Sequence, residues 1–541
     1  MVRSRQLSGV VILALAAGYL IIAVSMYRPA LDGPPISDDF IDLVNPWITD
    51  PSPAKLLALF DPTSQASISL TNYKPVSALV HVLQAWLHPE NSLAYHAENM
   101  GLHVLASVLL AMFFASTGIV AGGAALGGLF FLVHPANVEA VAWMRQLWTP
   151  LCMVLSLAAL LALPRRPGLA TLLFVLALGS KASALFVLPV AAVLGWCRVP
   201  ERAATGAPAV AEPWPWRWLA GWTLLCIAFS VAQSKATAGS GPTVDLDPWL
   251  RLWTSATFPA RYLAMGLTSF GVGWGQELEP VRSWLDPWWL ASLVLLPALA
   301  VRTLHGLRAR DPEAAGWVWA AAGFAPVSQI VPFIFPIADR YLYFILPGVL
   351  LAVLQMAMHM LQRMPEDRSR LWGRVLAASV FGVCILFSQA SFGRAALWRS
   401  SITLLIDAAR NNPDGIAANM LRARRAAAIG DVEGTVGPLR TAHLRGWDWY
   451  EGLLTDPVFA PVRPDPRFQA LVRELAEAAV ARLQRLNRET QQDLVQLADA
   501  YRLLGENAKA EALLERALAL GGAVDDLVRE RLERLRSGAA R

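Results

Sequence analysis

Long apolar runs separated by short polar connections fill the first 400 residues of the chain. Beyond them the pattern changes to small and apolar positions at helical spacing. A helix needs roughly 20 apolar residues to cross a bilayer. Runs that meet or approach this length lie at 8–26, 98–117, 119–133, 147–163, 168–180, 183–197, 216–233, 287–304, 315–332, 341–362 and 371–390, and they predict about eleven transmembrane helices. The first run follows Arg3 and Arg5 without a small-residue cleavage pattern, so it reads as a retained helix and not as a signal peptide. The segment 251–273 is apolar but carries Arg251 and Arg261. It reads as an interfacial or re-entrant helix, because a full crossing would invert everything after it.

Arginine placement predicts the orientation. Arg165 and Arg166, Arg198, Arg202 and Arg217, Arg302, Arg308 and Arg310, and Arg363, Arg368, Arg370 and Arg374 fall in alternate connections. The first connection between them, 27–97, is long and holds only Arg28, Lys55 and Lys74 as cations. By the positive-inside rule the N-terminus is cytoplasmic and an odd number of spans puts the tail outside, in the periplasm of a bacterium whose inner membrane holds the protein. Trp214, Trp216, Trp218, Trp284, Trp288 and Trp289 sit at predicted span ends, as an aromatic belt does.

The tail has its own pattern. Residues 492–521 fit one tetratricopeptide repeat, with Leu497, Ala498, Tyr501, Gly505, Ala510, Ala517 and Leu518 at the small and apolar positions that let two helices pack. A weaker copy lies at 413–446, with Ala426, Gly430, Thr435 and Ala442 in the equivalent places. Between them, 456–471 reads as a Pro-rich loop leading into a helix. Two repeats are short for a solenoid, so the tail is expected to pack on the membrane domain or on a partner. The fold class is all-α: a polytopic membrane domain over 1–399 and a helical domain over 400–541.

Composition agrees. Of 541 residues 55% are hydrophobic and 16% charged, with a mean hydropathy of +0.43. This excludes an ordinary cytosolic enzyme and a disordered protein. A net charge of +5 is too small for this length to suggest nucleic-acid binding. Cys152, Cys197, Cys226 and Cys384 lie in or beside apolar runs without metal-ligand spacing.

Asp38 and Asp39 follow the first span in an outside connection, and either could act as a general base at the membrane surface or be merely solvated. Lys74, His134, Lys181 and Arg340 all fall at predicted outer ends of spans. Singly each reads as an interface cation; together they suit a phosphate or pyrophosphate leaving group. His96, Asn99 and His103 could share a helix face, as a metal site or as packing groups, and His81 and His88 are looser companions. Glu277, Glu279 and Asp286 read as solvated loop carboxylates.

Four segments in order carry a resemblance: the Asp pair at 38–39, NYKPVSALVHVLQAWLHPENSLAYHAENMGLH at 72–103, HPANVEAVAW at 134–143 and ADRYLYFILPG at 338–348. A fifth, RAALWRSSITLLIDAARNNP at 394–413, leads into the repeats. The set resembles the eukaryotic membrane O-mannosyltransferases that join a GT-C membrane domain to tetratricopeptide repeats, and resembles their bacterial relatives more closely. The resemblance implies sugar transfer from a polyprenyl-phosphate donor to a protein or glycan acceptor. It places the acidic pair on Asp38 and Asp39, the Tyr-basic-Pro element on Tyr73, Lys74 and Pro75, the His-Pro and Glu on His134, Pro135 and Glu139, and Arg-Tyr-Leu-Tyr on Arg340, Tyr341, Leu342 and Tyr343.

On this reading Asp38 or Asp39 is the base of an inverting transfer, and Arg340, Lys74, His134 and Lys181 hold the donor phosphate. Tyr73, Glu139, Tyr341, Tyr343 and His96 line the substrate. The resemblance fixes no cofactor, and a divalent metal is left open. Two departures stand out: Ala182 replaces a Glu that relatives often carry after Ser-Lys, and Arg145 is the only charge in MRQLWTP, where relatives show a charged run. These favour, as alternatives, a non-catalytic scaffold that uses its repeats to recruit partners; a lipid or glycan transporter is the other alternative.

Overall fold

The computed structural model describes residues 7–36, 39, 45–69, 72–89, 91–198, 214–237, 247–277, 279–330, 335–447, 450–486, 489–522 and 524–537. Among them the secondary structure is helical, with no strand. Seven helices are long and apolar enough to cross a membrane: Gly9–Leu31, Ser92–Ser116, Met144–Ala162, Trp216–Ala236, Pro287–Ala309, Asp339–Gln362 and Glu366–Leu397. An eighth candidate, Ala121–Val133 with Pro135–Ala142, is bent by 52°. The bend falls where His134 turns extended (ψ 125°) and Pro135, which has no N–H to continue the ladder, restarts the chain as a 3-10 turn.

Each predicted run falls largely on a helix, although 331–332 at the end of 315–332 lie outside the described residues, and among the described residues the expected count of about eleven spans is not confirmed. Runs 168–180, 183–197 and 315–332 form α-helices of 14, 11 and 12 residues. Fourteen residues rise only about 21 Å, short of a hydrocarbon core of about 30 Å. The segment 251–273 folds as two helices too short to cross, Pro248–Ser255 and Phe258–Thr268.

Burial separates the inner helices from the outer ones. In the apolar stretch of Met144–Ala162, 78% of residues are buried inside the protein, against 11% in Pro287–Ala309. Apolar surface as continuous as that of the outer helices calls for a lipid surround. The helix Glu313–Phe324 packs on Asp339–Gln362 almost backbone to backbone. A Cβ at Gly316 would stand 2.5 Å from the Ala352 nitrogen, and one at Gly348 2.5 Å from the Ala320 nitrogen. Small residues at such a crossing are how apolar helices associate when water provides no drive. Trp319, wholly buried, stacks on Phe186 and donates its Nε1–H to the Phe344 carbonyl at 3.0 Å.

The tail is built of helical hairpins. Ile416–Ala428 and Val432–Leu444 form one; Gln491–Leu503 and Asn507–Leu520 form another, 75 residues on. The register is kept residue by residue: buried Ala423, Thr435, Leu439 and Ala442 match buried Ala498, Ala510, Leu514 and Ala517. Gly430 (φ 74°) and Gly505 (φ 82°) occupy the left-handed turn in each hairpin, a conformation only glycine takes without strain. The Pro-rich segment opens the helix Pro466–Leu486, as its sequence suggests.

This tail packs on the membrane part. Arg399 donates to the Pro29 carbonyl (2.8 Å), Asn412 to the Gly275 carbonyl (3.2 Å), and the Ile416 N–H to Glu277 (2.6 Å).

Gly348→Val places a branched side chain where a single Cβ already overlaps backbone. The substitution is expected to cost about 3 kcal/mol or more, read as a lowered thermal-unfolding midpoint in detergent. An unchanged midpoint would refute the close pairing.

Candidate functional site

The carboxylate of Asp39 is buried and held from two sides. Its Oδ1 accepts the Arg145 N–H at 2.8 Å and its Oδ2 the Ile36 N–H at 2.9 Å. The loop after the first span is thereby fastened to the turn 143–149. Asp38 lies outside the described residues, so its predicted role has no geometry here.

The same turn gathers the cations. Lys74 Nζ stands 3.3 Å above the centre of the Trp148 ring, with the Arg145 guanidinium 5.7 Å from that ring. Trp148 Nε1 and Thr149 Oγ1 both donate to Gln146 Oε1, each at 3.0 Å. Lys181 Nζ donates to Thr149 Oγ1 at 2.7 Å. The Arg340 guanidinium lies 5.6 Å from the Trp143 ring. The turn itself is fixed from behind by Asn99, whose Nδ2 donates to the carbonyls of Trp143 and Met144, both at 3.1 Å. Pro75, at the first position of its helix, starts Pro75–Leu87 directly after Lys74.

Electrostatics follow from this burial. Burial, and secondarily the charge of Arg340, pushes the Lys181 ammonium down to about 7. Arg340 is balanced by Glu139, which takes its side chain in an ion pair and its backbone N–H at 3.0 Å. Next to it, Asp339 Oδ1 accepts from the Gly273 N–H at 3.2 Å and from Gln276. The Arg394 guanidinium spans Asp339 Oδ2 at 3.5 Å and Asp407 at 3.6 Å.

The site thus brings together Asp39, Lys74, Lys181 and Arg340 of the residues expected from sequence. Others serve the framework. His134 was expected to hold phosphate, but its Nδ1 accepts the Ala136 N–H (3.2 Å) and its Nε2 faces the Gly266 carbonyl (3.2 Å). Fully buried with both nitrogens used, it caps the helix restart instead. Tyr343 was expected to line the substrate, but it is wholly buried and its hydroxyl meets His103 Nδ1 at 2.8 Å. His103 Nε2 meets the Leu132 carbonyl (3.0 Å), which needs a donor, so His103 carries its proton there and accepts from Tyr343. Glu139, also expected to line substrate, is committed to Arg340.

Tyr341 donates to the Phe335 carbonyl at 3.2 Å and stands beside the Arg340 guanidinium. Tyr73 ties its loop down through the Phe60 carbonyl (2.8 Å) and Gln233 (2.9 Å). His96 is buried against the backbone of Gly33 and Ala142. Of the shared face, Asn99 and His103 spend polar atoms on backbone carbonyls and on Tyr343, whereas both ring nitrogens of His96 are buried outside any hydrogen bond. Among the described residues a metal-like grouping occurs only at Asp311, Glu313 and His359. His359 lies near the far end of the helix that begins beside Arg340, about 30 Å away by helical rise. Glu313 is already bound by Arg302 (2.8 Å) and Trp317 (2.9 Å).

Sequence reasoning missed Asp339 and Arg394 as site-forming groups, noted Asn99 only as a companion of His96 and His103, and noted Arg145 only as the survivor of a charged run. All but Arg145 lie inside the quoted motifs. Their signal was a charge or an amide inside an apolar stretch, which demands a partner.

Asn99→Leu would strand two buried carbonyls while keeping the number and branching of side-chain heavy atoms. The expected cost is about 1–3 kcal/mol, measured by thermal unfolding. A variant as stable as wild type would show that the turn does not depend on Asn99.

Comparison with models of known protein families, with curated proteins and with solved structures gives no match.

Proposed function

We propose that the chain is an integral-membrane glycosyltransferase of the GT-C type. It moves a sugar from a polyprenyl-phosphate-linked donor to a hydroxyl of a protein or glycan acceptor on the outer side of a bacterial inner membrane. One observation carries the reading: a buried carboxylate, Asp39, and four cations, Lys74, Arg145, Lys181 and Arg340, are all fastened to or packed on one short turn.

The chemistry needs little else. A sugar phosphate has a good leaving group, so no strong general acid is required. Asp39 takes the proton of the acceptor hydroxyl while that oxygen attacks the anomeric carbon. The bond from this carbon to the phosphate oxygen breaks, and the configuration inverts. Charge left on the polyprenyl phosphate falls to the cations, which are already in place and need no reorganisation. Arg340 is the cation held most firmly, since Glu139 fixes it at two points. The polyprenyl tail lies against the apolar outer helices. The two hairpins in register read as tetratricopeptide repeats in the periplasm that hold or orient the acceptor. Ala182 at the position of the relatives' Glu favours the scaffold reading, in which none of these groups acts.

Envelope glycans and proteins are profiled by mass in a strain lacking the protein, complemented with wild type or with Asp39→Asn. Transfer predicts a modification restored by wild type alone. Asn at 39 sets an amide N–H against one of two backbone N–H groups, so unfolding is measured alongside. Full rescue by a folded Asp39→Asn protein sinks the assignment and promotes the scaffold.

Lys181 supplies a second test. Half-protonated near pH 7 when free, it is favoured in its charged form by a bound phosphodiester. Above pH 7 binding must take up a proton, so affinity falls by at most about tenfold per pH unit. Binding of a short-chain polyprenyl phosphodiester sugar from about pH 6.5 to about pH 8.5 is expected to weaken in wild type and to stay flat in Lys181→Arg. Equal slopes would remove Lys181 from the phosphate site.

A further inference from the structure

A separate cleft of about 430 Å³ opens where the membrane part meets the tail. Its walls include Arg261, Glu277, Glu279, Arg282, Ser283 and Asp286. The volume lies within the range of about 300–1,000 Å³ of small-molecule sites. Arg445 of the tail lies beside the cleft, pairing with Glu279 at 2.9 Å and Glu277 at 3.9 Å. Trp288 backs Arg261, with ring and guanidinium 5.1 Å apart. Trp284, between two lining residues in sequence, is 69% exposed and packs on Trp253.

We propose that this cleft binds a neutral carbohydrate. The charges argue for it. Three lining carboxylates repel a polyanion, and two lining guanidinium groups with Arg445 beside them repel a polycation. Carboxylates only accept hydrogen bonds and guanidinium groups only donate them. A wall that alternates the two suits a ligand whose every polar group does both, and a hydroxyl does both. A sugar ring also offers an apolar C–H face, which the open Trp284 can cover.

The cleft shares a wall with the candidate site. Gly273 and Gln276 bind Asp339, and Glu277, the next residue, lines the cleft. Arg261 lines it too, and its neighbour Tyr262 bonds the Ala338 backbone. Sugar binding here does not depend on the transfer reading; that the bound sugar is the acceptor does rest on it.

The test uses the full chain in lipid nanodiscs. Maltotriose and chitotriose are the neutral probes, trigalacturonic acid and triglucosamine the charged ones, and a Ser/Thr-rich peptide stands for a protein acceptor. Binding is followed by saturation-transfer NMR and calorimetry. At least one neutral trisaccharide is expected to bind more tightly than every other probe. Arg282→Ala and Glu279→Ala, both exposed side chains outside the transfer machinery, are each expected to weaken it about tenfold. Asp39→Asn is expected to bind as wild type does, which separates failure of the transfer reading from failure of this one. The proposal is overturned if neither neutral probe binds at millimolar concentration, if a charged probe or the peptide binds more tightly, or if both substitutions leave affinity unchanged.

Discussion

Polar groups in an apolar interior must find partners, and in this protein one turn of seven residues, 143–149, provides many of them. Its backbone N–H holds Asp39; its indoles receive Lys74 and Arg340; its threonine receives Lys181. These side chains come from four distant parts of the sequence. Each of them is buried or partly buried, and the turn supplies part of what offsets its desolvation. The turn is in its place because Asn99 takes up two of its carbonyls from the neighbouring helix. The site is therefore a by-product of hydrogen-bond accounting as much as of chemistry.

Charge alternates outward from this centre. Arg340 is answered by Glu139, and Asp339 by Arg394, which is answered in turn by Asp407 of the tail. Pairing of this kind keeps each cation ionised while limiting the net field. It leaves Lys181 as the member with a softened charge, because a neighbouring guanidinium and burial both act against its proton.

Much of the fold could be read from sequence because its determinants are local. Apolar runs became helices, proline opened Pro75–Leu87 and Pro287–Ala309, and glycine closed the first helix of each tail hairpin at 430 and 505. Span number was less legible, since hydropathy does not report where a run stops being straight: Pro135 bends one span, and 168–180 ends as a 14-residue helix. The site was legible only in part. Asp39, Lys74, Lys181 and Arg340 could be singled out as charges beside apolar runs. His134 and Tyr343 carry the same kind of signal, yet spend their polar atoms on Gly266 and His103. Partners of that sort are set by tertiary contacts, which a linear pattern does not contain.

The Arg394 guanidinium belongs to both halves of the molecule. It leaves the end of the last long helix and touches Asp339 on one side and Asp407 on the other. With Arg399 on Pro29 and Asn412 on Gly275, it makes the joint a bracket and not a hinge. A bracket fixes a height. The hairpins are thereby held at one level along the apolar helices that they join.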